Sequence, residues 1–329
     1  MENKEQDFLK VEDLEVIYTS GGKIVQAVNH VSFSMKEGET LALVGETGAG
    51  KTTIAKSILR ILPDPPAKMI NGHVWLEGTD LTAHKEEEML KIRGGKIAMI
   101  FQDPMTALNP IMTVGDQIAE GLLLHNDITK EEAEKRADEM LEMVGIAKRR
   151  YGEYPFEFSG GMKQRVVIAM ALACNPRLLL ADEPTTALDV TIQAQVLDLI
   201  KDLQKKYNTS MILITHDLGV VAETSDNVAV VYAGEIIEYA DKKQLFLNPL
   251  HPYTHGLFGS LPSMTSGEKR LKPITGFPPD PTNLPKGCVF ASRCPHATDE
   301  CRAWKTELKD VGGGHFCRCL KVQKDQGGL

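Results

Sequence analysis

The sequence predicts an α/β fold in which a glycine-rich loop joins a buried strand to a helix. Residues 45–52, Gly-Glu-Thr-Gly-Ala-Gly-Lys-Thr, match the pattern G-x-x-x-x-G-K-[ST] and follow an apolar run at residues 41–44. Further apolar runs alternate with helical patterns along the chain. One of them, residues 177–181, ends directly before the acidic pair Asp182 and Glu183. This alternation is typical of a largely parallel sheet covered by helices.

Composition fits a globular protein that buries a full core. The chain has 329 residues, 42% of them hydrophobic and 25% charged, so we expect one large domain and a smaller one. No apolar stretch approaches the roughly 18 residues of a membrane-spanning helix, and the N-terminus lacks the layout of a secretory signal. These features predict a cytoplasmic chain with at most a peripheral membrane role. The net charge of -8, without basic and aromatic interleaving, argues against nucleic acid as a partner.

The elements follow from the apolar pattern in chain order. Residues 11–45 and 74–101 read as strands and turns, and a helix from Lys51 to about Leu62 is ended by Pro63. Residues 114–173 carry a helical pattern, which predicts a helical insert at about 103–175 within the α/β core.

The second half predicts a return to the core and then a tail. Strands are expected at residues 177–181, 211–214, 228–231 and 235–239, with a helix at about 191–207 between the first two. Eight of the 17 prolines fall between Pro249 and Pro285, which indicates an irregular, extended segment. We therefore predict a nucleotide-binding domain at residues 1–245 and a C-terminal extension at 246–329.

The glycine-rich loop is suited to binding nucleotide phosphates. Its glycines let backbone N–H groups turn toward phosphate oxygens, and the following helix adds the positive end of its dipole. Lys51 would reach the β- and γ-phosphates, the Thr52 hydroxyl would bind Mg²⁺, and Thr53 could meet the α-phosphate. The alternative is a chance glycine-rich turn, which the strand before it and the helix after it disfavour. The predicted loop residues are Gly45, Glu46, Thr47, Gly48, Ala49, Gly50, Lys51, Thr52 and Thr53.

Polar residues at the ends of three predicted strands complete a catalytic set. Asp182 would hold Mg²⁺ through water, and Glu183 could orient or deprotonate the attacking water. His216 and Gln102 each follow a strand, where they could contact the γ-phosphate, and Gln102 could also face Mg²⁺. Taken alone, such residues are more often solvated, capping or structural. Together with the loop they favour ATP and Mg²⁺ as cofactors.

The segment at residues 158–164, Phe-Ser-Gly-Gly-Met-Lys-Gln, resembles the signature of ABC-type ATPases. The resemblance implies an ABC-type nucleotide-binding domain with a RecA-like core, an antiparallel β subdomain and a helical subdomain. It also implies that two such domains pair head to tail, so that the signature residues Ser159, Gly160, Gly161 and Gln164 serve the partner's nucleotide. The same resemblance assigns Gln102 to the Q-loop, Asp189 to the D-loop and His216 to the switch histidine, with Tyr18 stacking on adenine. Phe158 departs from the usual leucine, which implies a packing change only.

Residues 101–110, 232–238 and 251–254 look like segments of the ATPase subunits of peptide and nickel importers. This resemblance covers essentially the whole chain. It implies a second ATPase subunit, either a related chain or a second copy, two transmembrane permease subunits and, indirectly, an extracellular solute-binding protein. It places the chain on the cytoplasmic face of the cell membrane and leaves dipeptides, longer peptides and nickel open as solutes.

Five of the six cysteines lie between Cys288 and Cys319, which suggests a metal site in the tail. Their spacing differs from the paired C-x2-C of structural zinc sites, and the resemblance to peptide-importer ATPases implies a [4Fe-4S] cluster, with zinc as the alternative. The implied ligands are Cys288, Cys294, Cys301 and Cys319, with Cys317 as a substitute for the last. The remaining alternative is a set of free thiols in a floppy tail.

Two other functions remain open at this point. The first is a soluble ABC-type ATPase acting on ribosomes or DNA, which the single phosphate loop and the lack of sustained heptads disfavour. The second is a regulatory or structural iron–sulfur protein with a degenerate cassette, which the intact Lys51, Asp182, Glu183 and His216 disfavour.

Overall fold

The structure is a computed structural model that describes residues 7–186, 190–259 and 274–325. The strands of this part are β1 (Leu9–Ser20), β2 (Lys23–Met35), β3 (Thr40–Val44), β4 (Ala67–Leu76), β5 (Thr79–Asp80), β6 (Ile97–Ile100), β7 (Leu178–Asp182), β8 (Ser210–Ile214), β9 (Asn227–Tyr232), β10 (Glu235–Asp241), β11 (Lys309–Asp310) and β12 (Phe316–Cys317). The α-helices are α1 (Lys51–Ile58), α2 (Glu86–Ile92), α3 (Pro104–Ala107), α4 (Val114–His125), α5 (Lys130–Met143), α6 (Gly160–Leu172), α7 (Val190–Tyr207), α8 (Leu218–Thr224), α9 (Lys242–Leu247), α10 (Pro252–Gly259), α11 (Asp299–Ala303) and α12 (Leu320–Asp325).

The chain forms two compact units. The first contains residues 1–35, 41–82 and 215–329, and the second contains residues 36–40 and 83–214. The predicted α/β class is confirmed in both, because parallel strands and helices follow one another along the chain.

The first unit combines an antiparallel sheet with part of a mixed sheet. The antiparallel strands lie in the order β2-β1-β4-β5, and the mixed part has the order β11-β12-β10-β9-β3. All five residues of β3 are buried, and β3 pairs in parallel with β9. A continuous apolar run is typical of a strand covered on both faces, so this core strand was readable from the sequence.

The second unit holds three parallel strands in the order β8-β7-β6. Every residue of these strands is buried. Helices α3 to α6 occupy the stretch between β6 and β7, where the helical pattern predicted an insert. Thr113 and Thr129 cap α4 and α5 by accepting backbone N–H groups, which explains where both helices begin.

Two elements differ from the sequence prediction. Helix α1 ends at Ile58, earlier than expected, because Arg60 adopts a left-handed backbone with φ of 53° and stops the helix before Pro63. The tail is less irregular than predicted, since its described residues contain α10 to α12 and the hairpin strands β11 and β12. Strand β12 pairs with β10, which joins the tail to the sheet of the first unit.

A buried apolar cluster ties the tail to the core of the first unit. Tyr232 on β9, Tyr253 on α10 and Phe290 of the tail are almost fully buried. Their ring centroids lie 4.6 Å apart for the two tyrosines and 5.3 Å for Tyr232 and Phe290. The tail therefore folds as part of the first unit. Within the described ranges, no helix has both the length and the apolar character needed to cross a bilayer.

Candidate functional site

The glycine-rich loop lies in the first unit between β3 and α1, as predicted. Gly45, Gly48 and Gly50 have φ angles of 148°, 79° and 104°, a region that favours glycine. A Cβ on Gly45 would lie 2.1 Å from the Val231 carbonyl oxygen, and one on Gly50 would lie 2.4 Å from that of Ala27. Glycine is thus required both for the turn and for the close approach of the neighbouring backbone.

Lys51 begins α1 and is held inside the loop. Its side chain is buried, and its Nζ donates to the carbonyl oxygens of Gly45 at 2.7 Å and Glu46 at 3.0 Å. These contacts keep the ammonium group over the loop, where it can meet phosphate oxygens together with the N-terminus of α1. Tyr18, at the end of β1, places its hydroxyl 3.5 Å from the Thr53 hydroxyl.

The loop is also anchored from outside its own sequence. The Glu46 backbone N–H donates to the Tyr253 hydroxyl at 2.9 Å, and the Glu46 carboxylate forms an ion pair with Arg293 at 2.8 Å. Neither Tyr253 nor Arg293 was predicted as a site residue. For Tyr253 the only signal was its place in the segment 251–254 that resembles importer ATPases, and Arg293 had no signal beyond its position next to Cys294.

The acidic pair lies in the second unit at the end of β7. Asp182 is the last residue of the strand and is buried, whereas Glu183 follows it with a left-handed φ of 47°. The Glu183 N–H donates to the Ile214 carbonyl at 2.8 Å, which fixes this unusual backbone. A non-glycine residue in this conformation is strained and is often found at functional sites.

The Glu183 side chain is oriented by two neighbours. Its Oε2 accepts hydrogen bonds from Gln102 Nε2 at 3.0 Å and from the Thr186 hydroxyl at 2.8 Å. The structure therefore brings together Gln102 and Glu183, which are 81 residues apart and which the sequence assigned to the same chemistry. Thr186 was not predicted; its position three residues after Glu183 was the only available signal.

The signature segment surrounds the start of α6 in the same unit. Ser159 is the residue before the helix, and Gly160 and Gly161 form its first turn. A Cβ on Gly161 would lie 2.8 Å from Ile192 Cγ2. Gln164 is buried, and its Nε2 is one of the few buried side-chain atoms of the described residues that lack a hydrogen-bond partner. Phe158 is buried and is covered by the Arg150 guanidinium at 4.3 Å from the ring centroid.

His216 belongs to the first unit and lies in the loop between β8 and α8, where it is exposed. Thr215 and Asp217 shape this loop, because the Asp217 N–H donates to the Thr215 hydroxyl at 3.0 Å. Asp189, the predicted D-loop residue, lies outside the described residues.

The tail brings four of its cysteines to one cavity. Cys288, Cys294, Cys301 and Cys319 all line it, whereas Cys317 is fully buried in β12 and does not. Burial raises the pKa of Cys288 to about 11 and also raises the pKa of Cys294 and Cys319. As free thiols these three cysteines are therefore protonated at neutral pH.

The cysteine sulfurs are not arranged as a compact zinc site. Within the described part of the chain, three or more His, Cys, Asp or Glu ligand atoms lie within 4.8 Å of one another only at Asp13, Glu15 and His30. Tetrahedral zinc, with Zn–S bonds of about 2.3 Å, would hold its sulfurs about 3.8 Å apart.

Comparison with known proteins shows the family of the chain. Residues 28–186 match the ABC transporter family model, and residues 237–301 match the model of the oligopeptide/dipeptide transporter C-terminal region. The oligopeptide transport ATP-binding protein OppD of Bacillus subtilis is 56% identical over 96% of this chain and 89% of its own length. The dipeptide transport ATP-binding protein DppD of the same organism is 52% identical over 89% of this chain and 88% of its own length.

Solved structures show the same fold. The dimeric, post-hydrolysis ATP-binding cassette MJ0796 bound to ADP and Pi covers 71% of this chain and 98% of its own, with a TM-score of 0.65 and 30% identity. The fold and the phosphate loop thus define an ABC-type nucleotide-binding domain. The chain belongs to the ABC transporter family, in the branch that carries the oligopeptide/dipeptide transporter C-terminal region. The resemblance found in the sequence is confirmed.

Proposed function

We propose that the chain hydrolyses ATP to drive the import of peptides through an ABC transporter. The observation that carries this is the Glu183 carboxylate, held by Gln102 and Thr186 directly after the strand that ends in Asp182. A carboxylate in a fixed position beside an aspartate is suited to aligning water for attack on a phosphate. Peptides are proposed as the solute because the relatives OppD and DppD are named for oligopeptide and dipeptide transport. The same relatives argue against a soluble ATPase acting on ribosomes or DNA.

The proposed roles follow the chemistry of each group. Lys51 and the backbone N–H groups of the loop would bind the β- and γ-phosphates, and Thr52 would ligate Mg²⁺. Asp182 would hold Mg²⁺ through water, and Gln102 would approach the γ-phosphate and the metal. His216 would contact the γ-phosphate, and Tyr18 would stack on adenine. Mg²⁺ supplies charge neutralisation between the phosphates when it is bound.

The partners follow from pairing of two cassettes. We infer that Ser159 and Gly161 act on the nucleotide of a second ATPase subunit, which is either a related chain or a second copy, with Asp189 at the same interface. ATP binding closes the pair, and hydrolysis followed by product release reopens it. Two membrane permease subunits would receive this motion at the cytoplasmic face of the membrane, and an extracellular binding protein would deliver the peptide.

Substitution of Glu183 by Gln tests this function. We expect Glu183→Gln to bind ATP with Mg²⁺ as the wild type does, but to lose at least about a hundredfold in hydrolysis, because an amide cannot accept the proton of water. The measurement is steady-state ATPase activity of the reconstituted transporter, with ATP binding measured separately. Glu139→Gln, an exposed residue on α5, is the matched control. Unchanged hydrolysis in Glu183→Gln would refute the role of this residue.

We further propose that the tail holds a [4Fe-4S] cluster through Cys288, Cys294, Cys301 and Cys319. The support is that these four thiols line one cavity, that Cys317 does not, and that no cysteines of the described residues form a compact zinc-like set. Thiolate ligation would release the protons that burial holds on Cys288, Cys294 and Cys319. The cluster would act as a structural link for a segment that has few apolar residues of its own.

A further inference from the structure

Arg293 of the tail is bonded through every N–H group that it possesses. Its guanidinium carries five N–H donors in a rigid, planar arrangement. The five acceptors are the Thr275 carbonyl oxygen at 3.1 Å from Nε, the Glu46 Oε2 at 2.8 Å and Tyr232 hydroxyl at 3.3 Å from Nη1, and the Glu46 Oε1 at 3.0 Å and Ile274 carbonyl oxygen at 3.2 Å from Nη2. The side chain is only 5% exposed. Such complete use of the donors indicates a fixed position.

The principal acceptor, Glu46, is a residue of the phosphate-binding loop. Both of its carboxylate oxygens accept from Arg293, and its backbone N–H donates to the Tyr253 hydroxyl. Glu46 therefore has its side chain and its backbone held by residues that lie more than 200 positions away.

The opposite end of this connection is the cysteine-lined cavity. Arg293 immediately precedes Cys294, whose N–H donates to the Phe290 carbonyl oxygen at 3.0 Å. The Phe290 ring packs against Tyr253 with centroids 5.5 Å apart. The segment between Cys288 and Cys294 thus reaches the loop by two routes, one through Arg293 and one through Phe290 and Tyr253.

A carboxylate in a phosphate-binding loop needs a counter-charge. Without Arg293, the negative charge of Glu46 would lie near the phosphates and oppose their binding, and its side chain would be free to pull the loop out of position. We propose that Arg293 is a positioning residue for the nucleotide site, which couples the cysteine-bearing tail to the phosphate-binding loop. This inference rests on the proposed ATP site. Coupling between two sites is reciprocal. The factor by which the contact with the tail strengthens nucleotide binding is therefore also the factor by which nucleotide binding stabilises the contact with the tail.

The test compares Arg293→Ala with the double variant Arg293→Ala/Glu46→Gln. We expect Arg293→Ala to weaken binding of a fluorescent Mg-ATP analogue about tenfold, within the range of coupling between two sites. The loss of affinity in Arg293→Ala becomes smaller at high salt, because it comes from repulsion between the Glu46 carboxylate and the phosphates. Removing the Glu46 charge in the double variant restores most of the lost affinity. Arg302→Ala, an exposed arginine on α11 of the same tail, is the matched control and leaves binding unchanged.

A second measurement reads the coupling from the tail. Hydrogen exchange of residues 288–304 slows when the analogue binds to the wild type and to Arg302→Ala, but not when it binds to Arg293→Ala. Wild-type affinity in Arg293→Ala would overturn the inference. So would weak binding that the Glu46→Gln change fails to restore, because that result would mean that Arg293 only helps the tail to fold. If the wild-type chain binds no analogue, the proposed nucleotide site itself fails, which is a separate result.

Discussion

Gly45 and Glu183 show how backbone conformation places chemistry at single positions. Gly45 turns the loop at a φ of 148° against the carbonyl of Val231, and Glu183 takes a φ of 47° that aims its carboxylate at Gln102 and Thr186. Glycine meets the first requirement without steric strain, whereas the glutamate must be held by the bond from its N–H to Ile214. Gly45 and Glu183 each follow a strand, but they are specified by different physical needs. Gly45 is required by the shape of the backbone, and Glu183 is required for its carboxylate.

Replacing Gly45 by Ala tests the close approach at the loop. The new Cβ would lie 2.1 Å from the Val231 carbonyl oxygen, so the loop must shift. We expect a loss of about 2–4 kcal/mol in the free energy of unfolding and the loss of ATP binding. Chemical denaturation and nucleotide binding measure the two effects.

Gly21→Ala is the control for this substitution. Gly21 also has a positive φ, of 55°, but a Cβ there would have no atom within 4 Å. Its replacement should cost only about 1 kcal/mol of backbone strain. Equal losses in the two variants would show that contact with Val231 does not matter.

At the scale of elements, the sequence was informative wherever local signals were strong. Strand β7 is a continuous apolar run that ends at Asp182, so the apolar pattern alone predicted where Asp182 lies and that Glu183 follows the strand. The end of α1 could not be predicted in this way, because the left-handed turn at Arg60 has no glycine to announce it. Pairing of β12 with β10 was missed as well, since two-residue strands carry no periodic pattern.

The contact between the tail and the loop could not be predicted at all. Arg293 and Glu46 are 247 residues apart, and neither stands out from its neighbours by composition. Charge pairs between distant residues depend on the whole fold, and only the structure shows which arginine of the tail meets the loop. Thr186 also supports the site without belonging to a motif, and for Tyr253 the resemblance of segment 251–254 gave no indication that its hydroxyl contacts the loop.

The cysteine tail is the element with the sharpest chemical test. We expect anaerobically purified protein to contain about four iron and about four sulfide ions per chain, with broad visible absorption. Replacement of Cys294 or Cys319 by Ser removes the iron. Cys317→Ser retains it, because Cys317 lies outside the cavity, and Cys174→Ser of the second unit retains it as a further control. If the protein contained stoichiometric zinc and no iron, the cluster assignment would be wrong, but the four cysteines would still form a metal site.

At the scale of the whole molecule, the Ser159 segment is the part of the proposed machinery that serves a second subunit. Ser159 and Gly161 begin α6, and the Ser159 side chain makes no capping hydrogen bond to its helix. The dimeric MJ0796 cassette, to which this fold is similar, provides the comparison for two paired domains. A helix start of this kind suits an anionic group delivered from outside the chain.

The head-to-tail pairing predicts that a substitution at Ser159 reduces nucleotide trapping in the partner subunit. In the assembled transporter, vanadate trapping of an azido-ATP probe should label both ATPase subunits. Ser159→Arg in this chain should abolish labelling of a related partner subunit, because the arginine would obstruct the space that the partner's γ-phosphate needs, and should leave labelling of this chain in place. Lys51→Ala is the comparison variant. It should reduce labelling of this chain more than labelling of the partner, since it damages the chain's own phosphate loop. If Ser159→Arg removed the label only from this chain, the signature would serve its own nucleotide, and the head-to-tail arrangement would be wrong.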